Sequence, residues 1–363
     1  MDRQQAKENF IKQTGWQDAE AHKLAGDASS RRYTRFVRAD GRTAILMDAP
    51  PQAEAAPCPP NASPEQRLAL GYNASARLAG PNLHAFIALA SALREAGLNA
   101  PEIYAANETE GFALMSDLGN DLYAKAIDKG VDEKMLYEKA IDVLLHIHQY
   151  FTKPAHIQDY TLLEYDNLAL MAETDLLPQW FLDWHDPDKK PEAKALQEWH
   201  QAWEEVFTAL SPPSTLVLRD VHAENLLWLP QQQGLQQIGL IDFQDALFGH
   251  PAYDLVSLLE DARRDVAPIL VGHALDHYQS LARKYLPDFN PENFTRDYAI
   301  LGGQRNAKIL GIFARLVRRD KKPAYEYLVP RVATHFKNNL RHKALAPVQN
   351  WFASHAAELN FHE

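Results

Sequence analysis

Between Ser214 and Phe243 the sequence stops reading as helix. The apolar runs Leu226–Leu229 and Gln237–Ile241 flank the polar turn Gln231-Gln232-Gln233-Gly234, so the segment is expected to be a loop leading into an antiparallel hairpin. That topology constrains two side chains. Asn225 opens the first strand and Asp242 closes the second, and paired backbones lie about 5 Å apart. An amide oxygen and a carboxylate at that separation can share a hard cation. Magnesium takes oxygen ligands and keeps positions for water and phosphate, so a two-residue anchor suits a nucleotide-bound ion. Asp220, five residues before Asn225 on the same loop, is expected to point at the same space. A metal, together with a carboxylate that orients an attacking hydroxyl and accepts its proton, is what phosphoryl transfer requires. Asp220 and Asn225 alone would equally make a polar turn. The apolar strands and the Asp242-Phe243 ending make the pattern specific to the metal reading.

The rest of the chain divides around this segment. Arg32–Val37 and Thr43–Met47 read as strands about an Asp40-Gly41 turn, with two further short strands at Glu102–Ala105 and Gly111–Met115. Residues 3–24 read as one or two short amphipathic helices, and another helix near Leu83–Ala96 stops at Gly97. The Pro- and Ala-rich stretch from Ala49 to Pro64 is expected to be an exposed loop. Residues 1–119 thus form a small sheet-rich lobe. Residues 120–363 form a larger helical one, with helices at Met135–Tyr150 and Ala193–Leu210, and Trp180, Phe181, Trp184 and Trp203 at core-like spacings. The fold class is α+β.

Composition narrows the ligands. A net charge of −11 opposes binding to nucleic-acid phosphate or anionic lipid, so no nucleic-acid or membrane partner is expected. The N-terminus has no apolar core of a leader, and no stretch approaches the roughly 18 apolar residues of a spanning helix. The one cysteine, Cys58, rules out an intramolecular disulfide. A cytoplasmic setting is expected; the sequence assigns no oligomeric state.

L-R-D-V-H-A-E-N at 218–225, followed by I-D-F-Q-D-A-L-F-G-H-P-A-Y-D-L at 241–255, resembles the aminoglycoside phosphotransferase and choline kinase branch of the protein-kinase-like fold. The resemblance spans most of the chain. With G-D-A-S-S-R-R-Y at 26–33 and L-M-D-A-P-P at 46–51, it is greatest to the anomeric kinases of cell-wall amino sugars. Those enzymes phosphorylate the 1-hydroxyl of N-acetylmuramate and N-acetylglucosamine in peptidoglycan recycling. The resemblance implies ATP and Mg2+ as cofactors and a small-molecule amino-sugar substrate. It makes Asp220 the catalytic carboxylate, Asn225 and Asp242 magnesium ligands, and Asp254 a buttress of the loop, beside its simpler use as a helix N-cap.

The sequence also departs from the family. Leu218 stands where a histidine is usual, and Met47 stands where a lysine would hold the ATP phosphates. Ser29 and Ser30 are then expected to contact phosphate, and Arg31, Arg32 or Arg35 to supply the missing charge. Met115, Ser116, Asp117 and Leu118 look like the hinge that holds adenine. Gly302-Gly303 reads as the opening of a helix whose Arg305 and Lys308 face a substrate carboxylate, against a solvated basic face as the plainer use. Glu173 is a candidate for sugar hydroxyls. His146 and His148, two apart, face opposite sides of a helix and are structural. Two alternatives stay open: a kinase of aminoglycosides or other small-molecule hydroxyls, and a catalytically inactive nucleotide-binding protein.

Overall fold

The structure is a computed structural model and describes residues 2–24, 31–51, 57–153, 156–157, 159–187 and 190–361. Its chain forms two compact units. One comprises Met1–Asp132, Ala155–Leu162 and Glu224–Ala246; the other comprises Glu133–Pro154, Leu163–Ala223 and Leu247–Glu363. The sequence reading cuts the chain once, at residue 119. The structure instead joins the hairpin of residues 224–246 to the first unit, because isolated bridges tie Gly239 to Asn99 and Leu227 to Leu122.

The first unit is built on a five-stranded antiparallel sheet of β1 (Glu20–Lys23), β2 (Arg32–Val37), β3 (Thr43–Asp48), β4 (Ile103–Asn107) and β5 (Phe112–Ser116), in the order β1-β2-β3-β5-β4. Strand alternation sorts its residues by face. Phe36, Ala44, Leu46, Phe112 and Leu114 pack against Phe10 and Ile11 of the helix Arg3–Gln13, with Trp16 beside them. Register puts Tyr33, Met47 and Ala113 in one row of the opposite face and Arg35, Ile45 and Met115 in the next. Residues 3–24 are not all helical as expected: the helix ends at Gln13, and Glu20–Lys23 is a fully exposed edge strand. An exposed strand carries no alternating apolar pattern, and here the β2 ladder holds it.

The second unit is helical. Among its helices are Glu133–Tyr150, Ala193–Thr208, Pro268–Tyr285 and Ala346–His355, and the 28-residue helix Pro291–Arg318, which packs against Asn167–Thr174, Ala252–Leu259 and Val329–Leu340. Trp199 and Trp203 are core residues, and Trp199 meets the Trp351 ring edge-on at 4.9 Å. The long helix starts earlier than expected. Asn290 caps it by accepting from the Glu292 and Asn293 amides, and Pro291 takes the first helical position. Gly302 and Gly303 therefore lie mid-helix, where glycine answers a packing demand. A Cβ at Gly302 would sit 2.4 Å from Asn339 Nδ2, and one at Gly311 would sit 2.3 Å from the Leu176 carbonyl.

Two outcomes follow. Gly311→Ala should destabilise the protein by about 1–3 kcal/mol through that backbone clash. Gly272→Ala, in the open on the helix Pro268–Tyr285, should stabilise it by about 0.5–1 kcal/mol; denaturant titration reads both, and equal effects would remove the packing argument. Burial also lowers the pKa of His148, 2.8 Å from the Tyr278 hydroxyl, to about 3, and that of His250 to about 4. Both folded values lie below the unfolded one, so their stabilising contribution is complete above about pH 6.5 and is lost as pH falls toward 4. Denaturation at pH 5 against pH 7.5 should show a loss of about 2 kcal/mol per histidine, with a shallower dependence in His148→Gln.

Candidate active site

The loop carrying Asp220 follows the short strand Thr215–Val217, which pairs antiparallel with Leu247–Gly249. Polar groups hold it on both sides of Asp220. Asp254, sealed in the first turn of the helix Ala252–Leu259, accepts the Leu218 amide at 2.7 Å and the Arg219 amide at 2.9 Å. It does not cap its own helix, since Pro251 holds that place and both Asp254 oxygens face the loop. Downstream, Asp261 accepts the Ala223 amide at 3.2 Å. Sequence reasoning missed Asp261, whose only signal is an acid just past the end of an apolar helix.

Arg219 ties the loop to its surroundings through both backbone and side chain. Its backbone is left-handed (φ 74°), its carbonyl accepts from Ser257 Oγ at 3.3 Å, and its guanidinium lies over the Tyr165 ring at 4.8 Å and ion-pairs with Glu173. A non-glycine residue at positive φ is strained, and this one persists because contacts fix both ends of its side chain and backbone.

Glu173, expected to meet sugar hydroxyls, is completely buried. Lys308 Nζ lies 2.8 Å away, Gln304 donates at 2.9 Å, and the Tyr165 hydroxyl and Arg219 complete its shell. Burial works against the Glu173 carboxylate, yet Lys308 and Arg219 hold its pKa below the ordinary range. Lys308 is thus committed to Glu173 and, at 3.5 Å, to the Tyr253 hydroxyl. Arg305, also expected on the substrate side, is 4% exposed, and its Nη1 makes no hydrogen bond among the described residues. Neither residue lies on a solvated basic face. Asp220 is subject to the same balance: burial raises its pKa, and Lys308, His222, Arg305 and Arg219 together more than reverse that. Asp220 therefore stands as a carboxylate at neutral pH.

In the first unit the hairpin forms as expected, with Leu226–Trp228 antiparallel to Ile238–Leu240 and the Ile241 amide on the Asn225 carbonyl at 3.3 Å. Asn225 Nδ2 consequently lies 3.3 Å from Asp242 Oδ2, and Gln244 Nε2 donates to Asp242 Oδ1 at 2.9 Å. Asp242 is also left-handed, at φ 62°. Tyr33 is in electrostatic reach: burial, then the Asp242 charge, pushes its phenol up to about 12. The amide turns its nitrogen to the carboxylate here; rotated so that its oxygen faces the same side, Asn225 would join Asp242 as the oxygen donors a hard cation takes. No group of three His, Cys, Asp or Glu among the described residues forms a metal site of its own, so an ion here would draw its remaining ligands from water or phosphate.

The nucleotide expectations fare unevenly. Ser29 and Ser30 lie outside the described residues. Arg31 donates to the Gly80 carbonyl at 2.7 Å, and Arg32 begins β2 on an exposed position. Arg35, offered as a replacement for the absent lysine, is committed elsewhere, with Nε 2.6 Å from Asp117 and further bonds to Asn120 and the Gly119 carbonyl. That pairing ties β2 to Asp117 within the stretch Met115, Ser116, Asp117, Leu118. Ser116 pairs with Glu102 through both backbone and hydroxyl, and the Gly119 amide donates to Asp117 at 2.9 Å. Met47 is buried, at 1% exposure.

Comparison with known proteins matches this architecture. A Caulobacter vibrioides protein named N-acetylmuramate/N-acetylglucosamine kinase is 43% identical over 355 residues, covering 97% of this chain and 96% of that protein. In fold, the chain is similar to Plasmodium vivax ethanolamine kinase (TM-score 0.61, 11% identity, 92% of this chain and 88% of that one). It is also similar to the GDP complex of aminoglycoside 2'-phosphotransferase-IIIa (TM-score 0.57, 13% identity, 93% and 100%). Residues 20–289 match the family model described as the phosphotransferase enzyme family, APH, and the chain belongs to that family.

Proposed function

We propose that this chain transfers the γ-phosphoryl group of ATP to the anomeric 1-hydroxyl of N-acetylmuramate and N-acetylglucosamine. The observation that carries the reading is the loop around Asp220, a carboxylate kept ionised by buried cations and anchored on each side by Asp254 and Asp261. The name of the 43%-identical relative supports the choice of sugars. Asp220 accepts a hydrogen bond from the sugar hydroxyl, aligns its oxygen and takes its proton as the new O–P bond forms; the products are the sugar 1-phosphate and ADP. Asn225 and Asp242 hold magnesium, which when bound offsets the negative charge of the ATP phosphates. Four residues of chain separate Asp220 from Asn225, a tether of at most about 18 Å. The segment Met115–Leu118, set by Arg35, receives the adenine. Glu173 and Lys308 act through Arg219 to hold the loop. A kinase of cationic aminoglycosides could draw on the acidic residues between Glu164 and Glu205, but several of these already have partners: Asp175 pairs with His200, Asp183 with Arg318 and Glu198 with His355. No helix among the described residues is long and apolar enough to cross a membrane, and a reaction in the cytoplasm, in the recycling of peptidoglycan sugars, fits a requirement for ATP.

With ATP, magnesium and either sugar, the product should give a phosphorus NMR signal split by the anomeric proton; an unsplit signal, or none, would refute the reading. Asp220→Asn should lower kcat by roughly 10²–10⁴-fold with KM for ATP changed little. Asp242→Asn, which tolerates the left-handed backbone, should raise the magnesium concentration needed for half-maximal rate by about tenfold or more, a loss of roughly 1.4 kcal/mol of ion affinity or above. A magnesium titration identical to wild type would remove Asp242 from the ion's ligands.

A further inference from the structure

The buried cations of the second unit are not equivalent. Arg219 and Lys308 share Glu173. Arg305, one turn before Lys308 on the helix Pro291–Arg318, is 4% exposed, makes no ion pair among the described residues, and leaves Nη1 without a hydrogen bond. Carboxylates within its electrostatic reach include Asp220, Asp254 and Glu260. Two of these are already satisfied. Asp254 holds the Leu218 and Arg219 amides, and Glu260 accepts from Asn306 at 2.6 Å and Asn339 at 3.0 Å. The third, Asp220, is the group assigned to the acceptor hydroxyl. A guanidinium taken from water without a partner is costly, and a planar fork of donors is matched best by a planar oxyanion.

We infer that Arg305 is the acceptor-side oxyanion receptor of this chain, reading the carboxylate of an acidic amino sugar and setting the preference for N-acetylmuramate over N-acetylglucosamine. The inference rests on the amino-sugar kinase reading. The two sugars differ by the lactyl ether on O3, which brings one carboxylate, so a single cation is enough to tell them apart. A phosphate of the nucleotide is the competing oxyanion. Arg305 lies within electrostatic reach of Asp220, the group assigned to the acceptor hydroxyl, and this favours the acceptor. Lys308, expected at first to share the role, is consumed by Glu173.

The test compares kcat and KM for both sugars, at saturating ATP and magnesium, in the wild type, Arg305→Gln and Arg305→Lys. Losing a charge-assisted pair should cut kcat/KM for N-acetylmuramate by on the order of 10²-fold more than for N-acetylglucosamine, chiefly in KM, with lysine restoring part of the loss. Turnover of N-acetylglucosamine checks that the variant is folded, and Arg305→Lys carries the same comparison if Arg305→Gln does not fold. An equal loss on both sugars would place Arg305 on the phosphoryl group or on Asp220 and overturn the inference, as would an unchanged ratio. A wild-type protein that turns over neither sugar would sink the kinase reading itself, whereas active wild type with an unmoved ratio sinks only the role of Arg305.

Discussion

Asp254 is a carboxylate with no access to water, and its two bonds to successive amides of the loop organise everything around Asp220. Burial pushes its pKa up to about 7, against the pull of those two amides, and the charge of Asp220 adds to the rise. Such a group is stable only where its surroundings are completed. Breaking a buried, hydrogen-bonded charge on one side commonly costs about 3–5 kcal/mol. The completion extends outward in steps: the amide held by Asp254 belongs to Arg219, Arg219 reaches Glu173, and Glu173 is satisfied by Lys308 and Gln304 of the long helix. The helix can supply these groups because Gly302 and Gly311 let its neighbours approach to backbone distance. Packing and electrostatics are here one arrangement.

The sheet of the first unit shows the opposite economy. Its row Tyr33–Met47–Ala113 carries no cation, and the nearest guanidinium in the next row, Arg35, is bound to the segment after β5. The position where a phosphate-binding lysine was expected thus holds a buried thioether, and the local arginine ties the sheet to the segment that follows it. Arg35 joins β2 to residues 117–120, which lie about 80 positions later in sequence, and fixes where that segment leaves the sheet.

Legibility in the sequence followed the range of the interactions. The 226–240 hairpin was readable because a turn sets the register of its own strands, and with it the pairing of Asn225 with Asp242. The sheet strands with alternating apolar residues were readable for the same local reason. Glu20–Lys23 was not, since a wholly exposed edge has no pattern to find. Glu173 was named as a contact for sugar hydroxyls, but its burial and its partners depend on residues 46 and 135 positions away and have no local signature. The cluster of Glu260, Asn306 and Asn339 is invisible for that reason too. Glycines 302 and 303 misled the reading, because in sequence a glycine that admits a neighbouring side chain looks like one that ends a turn.

Arg219 and Asp242 share a backbone conformation that ordinarily belongs to glycine, and each sits beside one of the carboxylates or amides assigned to chemistry. Relieving a left-handed residue in favour of glycine recovers on the order of 1 kcal/mol. Selection for thermal robustness alone, in a library or by computation, would therefore be drawn toward glycine at 219 and 242, and would erase there an anchor of the loop and an oxygen donor while reporting an improvement. Arg77, Lys321 and Asn360 share the conformation away from the site, so the conflict between thermal robustness and the proposed turnover is confined to positions 219 and 242.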